Sequence, residues 1–159
     1  MRYLYFSTAW TVIIDIIAWF LVHMGISFIS TKLPVRMFDP SHLIYRSPDP
    51  LLEKKFYEQS LHIRRWKQKL PDAAVWFSGG FAKKNLSAKD PAYIQRFIAE
   101  TCRGEFAHWL TILCSALFFL WNEPAVGWLM VCYALFANLP CIFVQRYNRI
   151  RLSDSKLKV

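Results

Sequence analysis

Apolar residues in this chain are gathered into long blocks instead of alternating at strand period. From Tyr3 to Ile29 one formal charge, Asp15, interrupts the run; from Pro124 to Val144 there is none. Each block is long enough to cross a hydrocarbon layer of about 30 Å as a helix. Phe106 to Trp121 is shorter and holds His108, but a helix there can begin in the membrane interface. The pattern predicts an all-α integral membrane protein with about three transmembrane helices, near residues 3–29, 105–121 and 124–144. The apolar part of the first block is too long for a signal h-region, and no small-x-small site precedes Lys32. It is read as a retained helix.

Between the first and second blocks the chain is polar and irregular, with prolines at 34, 40, 48 and 50. Leu51 to Lys69 reads as an amphipathic helix: Leu52, Phe56, Ile63 and Trp66 fall near one face, while Lys54, Lys55, Arg64 and Lys67 project elsewhere. A basic helix with large apolar anchors is expected in the headgroup layer. It ends at Leu70-Pro71-Asp72, because proline disfavours helical geometry in the residue before it. Gly79-Gly80 beside Lys83-Lys84 lacks phosphate-loop spacing and reads as a turn. Asp90-Pro91 is a helix start, with Asp as N-cap and Pro in the first position. From there a helix can run unbroken into the second span. The whole chain, 1–159, reads as a single membrane domain. It has a cytoplasmic interfacial region at 30–104 and a tail at 145–159.

The composition, 159 residues with 55% hydrophobic and 17% aromatic, fits one such domain. The formal charge of +9 matters less than its placement. Fourteen Lys or Arg lie between Ser30 and Gly104 and five follow Val144, while only Arg2 precedes the first span. The positive-inside rule then predicts a multi-pass membrane protein, N-terminus outside and C-terminus cytoplasmic. The basic balance is accounted for by this topology and by attraction to anionic lipid, so no nucleic acid is expected as a partner. Cysteines 102, 114, 132 and 141 show no C-x-x-C pairing and read as buried thiols, not metal ligands or disulfides. Asp15, in mid-span, is either a functional carboxylate or a hydrogen-bonding contact to a neighbouring helix.

Candidate chemistry concentrates in Glu100-Thr101-Cys102-Arg103-Gly104-Glu105-Phe106-Ala107-His108-Trp109. Glu105 and His108 are three apart and so neighbours on a helix surface. Glu100, Gly104 and His108 form one stripe about 12 Å long, on which Gly104 leaves room for a substrate. A carboxylate that orients an imidazole is what a general base needs. The same residues also fit a headgroup or packing contact, or half of a di-metal site, although such sites use two Glu-x-x-His motifs and only one is present. Topology adds Gln145, Arg146, Asn148 and Arg149, at the cytoplasmic end of the last span, and Arg65, Trp66 and Lys67 on the interfacial helix. No P-loop, dinucleotide fingerprint or nucleophile elbow is found. Activation of a hydroxyl on a lipid-borne acceptor against a phosphate-bearing activated donor fits these limits.

Three blocks carry a resemblance to a known family. They are Arg64-Arg65-Trp66-Lys67-x-Lys69 with Asp72; Glu100-Thr101-x-Arg103-x-Glu105-x-x-His108-Trp109; and Tyr133-Ala134 through Ala137-Asn138-x-Pro140 to Val144-Gln145-Arg146-Tyr147-Asn148-Arg149-x-Arg151-Leu152. Over roughly residues 55–152 the chain resembles the glycosyl-4,4'-diaponeurosporenoate acyltransferases of staphyloxanthin-type carotenoid synthesis. It departs from the staphylococcal pattern at Ile150, where a proline is usual, and at Leu70-Pro71, where that pattern has no proline. The resemblance implies transfer of a fatty acyl group to the sugar of a glycosylated C30 carotenoid acid, at the primary C6 hydroxyl. Acyl-CoA or acyl-carrier protein is then a co-substrate, with no cofactor, and membrane lipid a further partner. The roles assigned from the residues are His108 as base, Glu105 as its orienter, and Arg146 or Arg149 on donor phosphate or oxyanion. Asn138 is a donor at the site or a helix contact, and Glu100, Arg103, Gln145 and Asn148 line it. Two alternatives stay open: an acyltransferase acting on another glycolipid, and a non-catalytic membrane subunit that binds carotenoid or lipid.

Overall fold

The computed structural model describes residues 3–70, 81 and 90–156, all helical or irregular with no strand among them. Helix α1 runs Thr8–Lys32, α2 Pro50–Lys55, α3 Ile63–Trp66, α4 Pro91–Cys114 and α5 Pro124–Lys156. A π turn at Phe56–Ser60 continues α2, a 3-10 turn at Lys67–Lys69 continues α3, and a 3-10 stretch at Ser115–Leu120 continues α4. The Gly79-Gly80 segment and the helix stop at Pro71-Asp72 lie outside the described residues.

Two helices, α1 and α5, are long and apolar enough to cross a membrane, whereas three were expected. The difference lies in α4. Its middle carries Glu100, Arg103 and Glu105, all buried. Its apolar part, continued through the 3-10 stretch, reaches only about 25 Å at helical rise, short of a hydrocarbon layer. Outward faces of the long helices are apolar: Trp10, Ile16, Phe20 and Leu21 on α1 and Trp128, Leu129 and Phe136 on α5 are all more than 60% exposed. Exposed apolar surface of that extent is the mark of a lipid-facing surface.

Helices α4 and α5 pack as an antiparallel hairpin, and α1 lies against it. Trp19 joins the three: its ring stacks on Phe118 at 4.5 Å, meets Tyr133 edge-on at 4.9 Å, and its N–H donates to Met130 Sδ. The tip of the hairpin is fastened by Asp15. One carboxylate oxygen accepts from Trp121 Nε1 at 2.7 Å and from Asn122 Nδ2 at 2.8 Å. Of its two readings, the structure displays the packing one. From Asp15 to Lys32, α1 extends about 26 Å, which matches the short reach of α4.

At the other end, residues 33–69 form a cap over the polar halves of α4 and α5. Asp90 caps α4 as expected, accepting from Tyr93 N with Pro91 in the first position. Asp49-Pro50 starts α2 in the same way, with bonds from Leu51 N and Leu52 N. The expected single helix over 51–69 is instead broken at His62, whose φ of 49° is left-handed and ends any α-helix. The break turns the two apolar sets apart. Leu52 and Phe56 are exposed, while Ile63 is fully buried and Trp66 half-buried against Tyr147, Ile150, Phe143 and Val144 of α5. Burying Ile63 contributes about 1.5–3 kcal/mol. All four cysteines are free, but only Cys102 is buried and Cys132 is exposed, so the expectation of buried thiols holds for Cys102 alone.

Asp15→Leu should destabilise the fold, because Trp121 Nε1–H and Asn122 Nδ2–H would lose their shared acceptor, at about 1–3 kcal/mol for each donor left buried. Asp15→Asn, which keeps an oxygen, should cost much less. Thermal unfolding of both variants in the same detergent measures the difference.

Candidate active site

Four charged side chains from three segments meet at the base of the cap. Glu105, fully buried on α4, accepts from Arg146 Nη1 at 2.9 Å on one oxygen and from Arg149 Nη2 on the other. Arg146 also donates through Nε to Glu53 of α2 at 2.9 Å. Arg149 further donates to the Tyr45 carbonyl at 3.0 Å, and its guanidinium lies 5.6 Å from the Tyr45 ring centroid. Tyr57 closes the chain, its hydroxyl donating to Glu53 at 2.6 Å. Two guanidinium groups thus face two carboxylates, and the network is close to neutral.

The surroundings favour the ionised form of Glu53. Burial alone would raise the Glu53 carboxyl, but hydrogen bonds from Tyr57 and Arg146 outweigh it and hold the group below its ordinary value. Burial, then the nearby Cys102 and Glu105, push the Tyr45 phenol up to about 12. The Tyr57 phenol is raised too, first by burial and then by Glu53. Both tyrosines therefore stay neutral donors.

This geometry revises the roles expected for the charged residues. Arg149 is buried, clamps Glu105 and the 33–49 segment, and with Arg146 lines the cavity beside the network. Arg146 is spent on Glu105 and Glu53. Glu100 and Arg103 pair with each other at 3.1 Å; Arg103 also donates to the Leu33 carbonyl and covers the Phe38 ring, bracing the end of α1. Gly104 does not open a path for substrate, since the Gln145 side chain lies across it, 3.0 Å from where a Cβ would stand. Trp66 donates to the Leu61 carbonyl, Arg65 is exposed, and Lys67 donates to Asn148 Oδ1 at 3.0 Å.

His108 has a different orienting partner from the one expected. Its Nδ1 lies 2.8 Å from Asn138 Oδ1 on the facing helix. Asn138 Nδ2 donates to the Ala134 carbonyl at 2.9 Å, which fixes which end of the amide is oxygen. An amide oxygen can only accept, so Nδ1 carries a hydrogen. His108 is half-buried, one helical turn from the ion network, and Trp109 beside it is linked to Glu105 at 3.4 Å. Glu53, Tyr57 and Tyr45 were not picked out from the sequence. Their only signal is that Glu53 stands four residues before Tyr57 in a segment where bases outnumber acids. A cavity of about 410 Å³ opens beside the network, lined by Tyr45, Arg46, Glu53, Arg146, Ser153 and Asp154 among others.

Among the described residues, fold and site together define an all-helical protein with two helices long and apolar enough to cross a membrane, a buried ion network and an imidazole held by an amide. The sequence model of the glycosyl-4,4'-diaponeurosporenoate acyltransferase family matches residues 34–155, and the chain belongs to that family of acyltransferases. Proteins of that name from Staphylococcus aureus strains bovine RF122 / ET3-1 and MRSA252 are each 32% identical over 136 residues, 86% of this chain and 82% of theirs. The N315 protein is 31% identical over the same shares. No solved structure matches the fold.

Glu105→Gln should destabilise the protein by about 3–5 kcal/mol, since it leaves two buried guanidinium groups short of their shared charge. Denaturant unfolding in detergent checks this. A change below about 1 kcal/mol would mean that the network does not hold the cap.

Proposed function

We propose that the chain transfers a fatty acyl group from a thioester donor, acyl-CoA or acyl-carrier protein, to the sugar of a glycosylated C30 carotenoid acid. The acceptor hydroxyl is the primary one at C6. The observation that carries the mechanism is the His108–Asn138 pair, because it fixes the ring and directs Nδ1 to Asn138, which assigns the role of base to Nε2. Nε2 takes the hydroxyl proton as the sugar oxygen attacks the thioester carbonyl carbon. The carbon–sulfur bond then breaks, and the imidazolium returns the proton to the leaving thiolate. Glu105 supports this at one remove, by fixing α4 against α5 so that His108 and Asn138 meet.

The acceptor suits a site of this kind. A polyene tail dissolves in the bilayer beside α1 and α5, while its sugar stays at the polar end of the helices. The excess of Lys and Arg between Ser30 and Gly104 favours a cytoplasmic location for that end, with the N-terminus outside. The exposed Leu51, Leu52 and Phe56 are suited to rest in the interface there.

The test is an assay of purified protein in nanodiscs with long-chain acyl-CoA and glycosylated diaponeurosporenoate, read by mass spectrometry for the ester. His108→Ala should lower turnover by at least about 100-fold. Asn138→Leu, which releases the tautomer without removing the base, should lower it less and leave the KM for acceptor nearly unchanged. Full turnover by a folded His108→Ala protein would overturn the base assignment. Acylation of other glycolipids with equal efficiency would overturn the acceptor assignment.

A further inference from the structure

Apart from the Glu105 network, the polar end of the fold carries a second cluster whose unpaired charges are all of one sign. Lys67, in the 3-10 turn after α3, lies half-buried against α5. Its ammonium donates to Asn148 Oδ1 at 3.0 Å and stands 5.1 Å from the Tyr147 ring centroid. Arg64, three residues earlier, donates to the Tyr147 hydroxyl at 3.0 Å and pairs with Glu58 at 2.6 Å. Arg151, one turn beyond Tyr147 on α5, is exposed. Among the described residues, neither Lys67 nor Arg151 meets a carboxylate.

That arrangement is unfavourable in the unliganded protein. Burial first, then Arg151 and Arg64, lower the Lys67 ammonium to about 8. The fold thus holds a partly desolvated cation among like charges, with an amide to orient it and no anion to neutralise it. Lys67 held on Asn148, and Arg151 three residues along α5 from Asn148 and so a neighbour on the same helix surface, are two cations without a paired carboxylate, which match the oxygens of a phosphate.

We propose that Lys67, Asn148 and Arg151 form a phosphate-binding site, separate from the Glu105 network in which Arg146 and Arg149 are already neutralised. Asn138 and Asn148 are ten residues apart on α5, about 15 Å along its axis. An extended phosphopantetheine arm can bridge that separation from the phosphate site to His108. If the phosphate is that of the acyl donor, the inference rests on the reaction proposed above. A phospholipid headgroup offers the same chemistry from the bilayer.

The experiment measures coenzyme A binding to the full-length protein in an uncharged detergent by calorimetry. Phosphatidylglycerol retained after reconstitution is counted in parallel by native mass spectrometry. Lys67→Gln and Arg151→Gln should each weaken one of these probes at least tenfold, while Lys54→Gln, outside the cluster, should not. Loss of coenzyme A binding identifies the donor as the source of the phosphate; loss of phosphatidylglycerol alone identifies the headgroup. Affinity in the wild type should fall as pH rises through about 8, where Lys67 among Arg64, Arg151, Tyr147 and Glu58 loses its charge. Lys67→Arg should bind and flatten that fall. A wild type that binds neither probe, or folded Gln variants that bind both unchanged, would overturn the site. His108→Ala should bind coenzyme A normally, so failure of the base assignment leaves this result readable on its own.

Discussion

The structure depends on a buried carboxylate shared between two arginines. A buried charge left without a partner is costly, and Glu105 and the two arginines are each other's partners. Together with Glu53 they cancel, and the cancellation joins α4, α5, α2 and the 33–49 segment at one point. The cap is otherwise made of short turns with few residues buried, and α2 and α3 are each too short to be stable as isolated helices. Their position follows from the ion network and from the Tyr57–Ile63–Tyr147–Ile150 cluster beside it.

Chemistry is divided between this network and its neighbour. The charged residues supply rigidity, and one turn along α4 the half-buried His108 is held by the buried Asn138. A base inside the ion network would be poorly placed, since guanidinium groups would occupy the space a substrate needs. In the reaction proposed above, a base at the edge, against the apolar part of the hairpin, meets an acceptor arriving from lipid.

Much of this was legible in the sequence, and the limits were physical. The helix start at Asp90-Pro91, the all-helical class, the family and the gathering of the 100–109 and 145–149 stretches were all readable from local pattern. The partner of Glu105 was not. Spacing of three residues places His108 beside it on α4, but two charged donors from α5 compete for the same oxygens, and a guanidinium outbids a neutral imidazole. Likewise the 51–69 stretch has helical periodicity throughout, yet a single left-handed residue at His62 lets its second half bury Ile63 while its first half stays exposed. The second span was overestimated because an apolar run was measured without its buried charges at one end and its tight 3-10 turn at the other.

The latch at Asp15 bears on how the chain is assembled. Its two donors, Trp121 and Asn122, lie more than a hundred residues downstream. During synthesis the first helix is therefore finished long before the groups that satisfy its carboxylate exist. A lone aspartate in the middle of a membrane helix costs about 2.5–3.5 kcal/mol on insertion. Asp15 therefore gains its partners only after the tip of the hairpin has been made. One side chain ties the start of the chain to the part of the fold that is synthesised near its end.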